Sequence, residues 1–160
     1  MRRVAFLSAA FLFGGTAYCL AEILFRGCTH PSMLLLGGLC FLFIGHLSGT
    51  CLPFPAKMAL SSLFVTAAEL LCGLLVNRAL GMDVWDYSSL PCNLWGQVCV
   101  TYSAAWCLLS VPAMGLYRVL SRAWNRPCVP GKKPQPDAHC SYPQMAFSMT
   151  SKRAATAFFK

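Results

Sequence analysis

Ser62, Thr66, Glu69, Gly73 and Asn77 follow one another at intervals of four, three, four and four residues within the otherwise apolar run "MALSSLFVTAAELLCGLLVNRAL". On a helix, residues three and four apart share a face. A charged group at the centre of a bilayer costs roughly 2.5–3.5 kcal/mol even on lenient insertion scales. A polar stripe of this kind therefore turns toward protein or water, away from acyl chains. A carboxylate placed there has two chemical uses. It can carry a proton or hold a cationic group, or it can fasten helices together through hydrogen bonds to Asn, Ser or Tyr. Both readings stay open for Glu69, and Asn77 suits a clip or a helix-end group as well as a ligand.

A second acid lies in the first apolar run, where Ser8, Gly15 and Glu22 recur every seven residues with Tyr18 and Cys19 in the intermediate turn. Arg26 stands one turn beyond Glu22, where it can pair with it. If the two polar faces meet, Glu22, Glu69 and Asn77 line one intramembrane seam able to contact a small substrate, an ion or a proton.

The elements that must position these residues are membrane helices. The chain has 160 residues, 57% of them hydrophobic and 11% charged, against about a quarter charged in an average soluble domain. Mean hydropathy is +0.57, which leaves too little polar side chain to cover a soluble globule. Crossing the hydrocarbon takes roughly 20 apolar residues, and four segments qualify: 4–25, 33–51, 58–80 and 98–120. The expectation is an all-α, polytopic integral membrane protein with four transmembrane helices in residues 1–124. Residues 125–160, rich in proline and cations, form a short tail expected to be disordered and cytoplasmic. A cleaved signal peptide is the alternative for the first segment, but apolar "EILF" runs on past any plausible cleavage point.

The formal charge of +8 does not mark a nucleic-acid binder, because no basic face interleaved with aromatics is visible on a folded domain. The cations instead cluster at Arg2 and Arg3, at Lys57 in the middle connection, and from Arg118 onward. Lysine and arginine stay preferentially on the cytoplasmic side, so the reading is a multi-pass protein of the cell membrane with both termini cytoplasmic. Ten cysteines scatter through the apolar segments without metal-ligand spacing and read mostly as small buried hydrophobes. Cys28 and Cys92 fall in the two outward connections, so a bridge between them stays open. No metal site, cofactor or P-loop is expected, and no hydrolase motif supports an enzyme.

The third connection, "GMDVWDYSSLPCNLWGQ", is the most polar and aromatic. Trp85, Tyr87 and Trp95 suit the headgroup level, and Asp86 with Ser88 can cap a turn. Trp85, Asp86, Tyr87, Asn93 and Gln97 together make a candidate outer-face cluster where a substrate or partner is met.

The stretch from Glu69 to Trp106 carries Glu69, Gly73 and Asn77; Trp85 to Ser88; Pro91 and Asn93; Gly96, Gln97 and Cys99; and Ser103 and Trp106. This combination resembles the family described as putative ABC-transporter type IV, or CmpB-like putative ABC transporter permeases, which comprises small polytopic bacterial membrane proteins and a related set of animal proteins. A weaker likeness covers "GGTAYCLAEILFRGCTHPSMLLLGG", with Glu22 as the acid of the first helix. The resemblance implies a permease-like protein that self-associates and recruits a separate ATPase subunit, since four helices without a nucleotide-binding domain are few for a transporter acting alone. The competing function is a non-transporting lipid-binding or assembly protein whose glutamates only lock helices and whose "WDYS" turn meets a partner.

Overall fold

The computed structural model describes residues 1–125, so the expectations for the tail beyond them lie outside the described residues. Four helices are long and apolar enough to cross a membrane: α1 (Arg2–Arg26), α2 (Pro31–Ser48), α3 (Phe54–Gly73) and α4 (Val100–Asn125). A π-helical turn, Leu74–Ala79, extends α3. The third connection contains a two-residue antiparallel pair, β1 (Asn93–Leu94) with β2 (Val98–Cys99).

Local chemistry sets the ends. Gly27 closes α1 in the left-handed conformation at φ 76°, its N–H bonding to the Ile23 carbonyl, a position where a side chain is strained. His30 caps α2 by accepting from the Ser32 N–H, and Pro31 follows in the first turn. Proline is at home there because the N–H it lacks has no helical partner in any case. The same logic corrects the expected start of the third helix. Pro53 and Pro55 do not delay it to residue 58 but lie at its cap and first turn. Lys57, expected in a connection, is thereby carried into α3 and buried. The second helix stops at Ser48 rather than about 51, and the fourth runs on to Asn125.

α2 is the central helix, packed against the other three; 56% of its apolar window is buried, against 17% in α1 and 11% in α4. Its seam with α1 is closed by glycines. A Cβ added at Gly15 would lie 2.4 Å from the Leu34 carbonyl oxygen, and one at Gly37 would lie 2.3 Å from the Tyr18 Cβ. Small residues let backbones approach where lipid supplies no hydrophobic drive between helices. Phe43 and Phe64 stack at 3.8 Å between α2 and α3. The large exposed side chains, among them Leu12, Leu24 and Phe25 of α1 and Leu108 and Val119 of α4, are the surface that acyl chains cover.

The path of the chain puts the two described ends together. Phe6 meets Tyr117 at 5.5 Å and Trp124 at 5.9 Å. At the opposite end Arg26 donates to the Val84 carbonyl, joining the first and third connections. Cys28 and Cys92 are both free thiols.

Candidate functional site

The polar stripe of α3 faces inward. Ser62 donates to the Ser103 carbonyl at 2.6 Å and Thr66 to the Ser103 hydroxyl at 2.9 Å, which fastens α3 to α4. One turn on, Glu69 is 4% exposed. Its Oε1 accepts from the Tyr18 hydroxyl at 3.0 Å and its Oε2 from the Trp106 indole N–H at 2.9 Å. The two donors come from α1 and α4, and their rings stack on each other at 5.5 Å with 18° between planes. Three helices thus close on one carboxylate. Both donors are neutral. Among the described residues the one ion pair is Arg26 with Glu22, at 2.8 Å.

The first helix therefore meets Glu69 with Tyr18 and not, as the seven-residue spacing suggested, with its own acid. Glu22 is engaged elsewhere: Arg26 donates to its Oε1 and Thr29 to its Oε2, each at 2.8 Å. It lies one turn from the end of α1, so a carboxylate there ties the helix to the connection that follows. Nothing bonds Glu22 to Glu69 or to Asn77 among the described residues.

Asn77 belongs to a third arrangement. Its Nδ2 donates to the Trp85 carbonyl and to Gln97 Oε1, both at 2.8 Å, while its Oδ1 accepts the Val84 N–H at 2.7 Å. Trp85 returns its indole N–H to the Gln97 carbonyl at 2.9 Å. The π-helical turn has a part in this, because its wider winding offsets some of the drift that four-residue spacing accumulates on an α-helix. Asn77 is thereby held over Gly73, where the Gln97 amide and Trp85 ring pack so close that a Cβ would meet Gln97 Oε1 at 2.3 Å. A side chain there would push the Gln97 amide off Asn77.

The five residues expected as an outer-face cluster divide. Trp85 and Gln97 are 5% and 6% exposed and turn inward to seal the bundle. Asp86 is exposed and caps the turn, accepting from both the N–H and the hydroxyl of Ser88; those two bonds hold its carboxyl below the usual aspartate range. Asn93 orders the hairpin, donating to the Ser88 and Leu90 carbonyls and accepting the Gly96 N–H at 3.1 Å. Tyr87 stacks on Tyr102 at 4.6 Å, and burial, followed by the charge of Glu69, pushes its hydroxyl pKa up.

Tyr18 and Trp106 were in view in the sequence without a role. The available signal was spacing: Trp106 stands three residues after Ser103, on the face that meets α3, and Tyr18 four residues before Glu22. Among the described residues no group of three or more His, Cys, Asp or Glu could hold a metal ion. What the arrangement offers instead is one buried carboxylate beside two aromatic rings.

No curated protein and no solved structure matches the chain. The family described as Putative ABC-transporter type IV matches residues 4–127, a span that takes in all four helices, the carboxylate with both of its donors, and the Asn77 seal. The chain belongs to that family.

Proposed function

We propose that the protein is a permease-like subunit in which Glu69 is the intramembrane contact for a small cationic group or a proton, working with a separate ATPase subunit and a second copy of the chain. The supporting observation is the buried carboxylate held by two neutral donors and, among the described residues, no cation. Removing an anion from water is costly unless an opposite charge compensates it, and here the compensating charge must come from outside the described residues. A carboxylate has about four acceptor sites, of which two are filled.

On this reading the seam expected of Glu22, Glu69 and Asn77 separates into one contact and two fasteners. Asn77 has both amide hydrogens and its oxygen engaged, and Glu22 has its cation in Arg26. The competing function, a non-transporting lipid-binding or assembly protein, draws support from those same saturated bonds. The cell membrane with both termini in the cytoplasm is the placement we propose, and we assign no enzymatic step. The test is purification in mild detergent with uptake and efflux assays of a Glu69→Gln variant. A transport subunit co-purifies with an ATPase and loses flux at unchanged abundance; an assembly protein keeps its partners and shows no flux to lose.

A further inference from the structure

We propose that the end of the bundle where α2 stops is a binding site for the phosphate group of an anionic phospholipid, gripped by Arg118 with Lys57 behind it. The inference is independent of the role given to Glu69. Lys57 donates to the Ser48 carbonyl at 3.3 Å and the Thr50 carbonyl at 2.7 Å. Arg118, seventy residues away on α4, donates to the same Ser48 oxygen at 2.6 Å. Two cations are thus held within hydrogen-bond reach of one atom.

The carbonyls at the end of α2 account for only part of that charge, because a helix C-terminus carries about half an elementary charge against two whole ones. No acid makes up the difference among the described residues. Glu22, Asp83 and Asp86 belong to the opposite end of the bundle, where Arg26 meets Val84. Glu69 is twelve residues along α3 from Lys57, about 18 Å at the helical rise. Arg122 lies one turn beyond Arg118, also exposed, adding positive charge. An anion is what this end lacks among the described residues.

Arg118 is exposed and has spent one of its donors on Ser48; a guanidinium fork matches phosphate oxygens. Lys57, 7% exposed, contributes charge from behind and fixes the carbonyl that orients the arginine. The apolar flank decides between a free phosphate and a lipid. Leu52 and Phe54 are 40% and 53% exposed on the adjoining connection and helix start, a surface for which acyl chains have a use and inorganic phosphate has none.

The test is native mass spectrometry of the full chain in mild detergent, with phosphatidylglycerol and phosphatidylcholine offered together, and inorganic phosphate as competitor. One phosphatidylglycerol per chain is expected to be retained over phosphatidylcholine, inorganic phosphate should not displace it, and Lys57→Gln and Arg118→Gln should each cut retention about fivefold. Arg118→Lys keeps the charge and gives up the fork, so its retention should fall between that of the unaltered protein and that of Arg118→Gln. Equal retention of phosphatidylcholine overturns the site. So does an equal loss when Arg2 and Arg3 are replaced by Gln, which would mark diffuse surface charge. Displacement by inorganic phosphate overturns the lipid assignment. The competition arms use the unaltered protein, so they decide the matter even if a Gln variant does not fold.

Discussion

The Tyr18 hydroxyl on α1 donates to Oε1 of Glu69 on α3 at 3.0 Å, across 51 residues of sequence. This bond joins α1 to the polar stripe of α3, and it complements the glycine seam by which α1 packs on α2. The same carboxylate takes its other bond from Trp106 on α4, so its ligation reports on the placement of three helices at once.

A double-mutant cycle between Tyr18→Phe and Glu69→Ala should return a coupling of about 0.6–1.7 kcal/mol, from the average to the upper end for hydrogen bonds between membrane helices. Unfolding in mixed micelles with the four proteins measures it. Additive effects would mean the hydroxyl and the carboxylate do not meet.

Asn77→Ala should cost about 1–3 kcal/mol, because it leaves the Val84 N–H, the Trp85 carbonyl and the Gln97 amide short of partners. Hydrogen exchange should show residues 81–99 opening while α1 and α2 keep their protection. Asn77→Asp should fare no better, since it keeps the acceptor for Val84 and loses both donors.

Gly15→Ala should destabilise the protein by about 1–3 kcal/mol, the usual range for overpacking, because the new Cβ meets backbone at Leu34 that cannot move independently. Gly115→Ala is the control, with nothing within 4 Å of its Cβ. Melting temperatures of the two variants should diverge.

Asp86 gives the third connection a pH dependence. Its carboxyl is held below the usual range by Ser88, so its contribution is in place above the ordinary aspartate value and is lost as pH falls through the lower, folded-state value. Proton exchange and fluorescence of Trp85 and Trp95 should show the turn loosening on acidification. Asp86→Asn should remove that step.

Four spans, their order and the inward stripe of α3 are legible from the spacing of apolar and polar residues, because lipid forces both. What the sequence hides is partner choice. Seven-residue spacing in the first helix promoted Glu22, whereas Tyr18 one turn earlier reaches Glu69 and Glu22 closes on Arg26 and Thr29. Which of two neighbouring turns meets a residue on another helix depends on helix rotation, and here the glycines of α1 and α2 set that. The inward turn of Trp85 and Gln97 was equally hidden: aromatic and amide side chains suit a headgroup interface and a buried network alike. The burial of Lys57 follows from prolines that begin a helix where they seemed to delay it.

The account turns on Glu69 receiving a charge from outside the chain rather than serving only as a fastener. Gln at position 69 can still accept from Trp106 and can donate to the Tyr18 oxygen, so it preserves the fastening and removes the charge. The most direct measurement is therefore native mass spectrometry and thermal melting of Glu69→Gln, with proton uptake and flux in reconstituted vesicles, in parallel with the unaltered protein. The account predicts a melting temperature close to the original together with loss of a bound low-mass cationic species or of proton uptake. A variant that melts far earlier and regains stability only with a carboxylate, or one that keeps its cation and its flux, would contradict it.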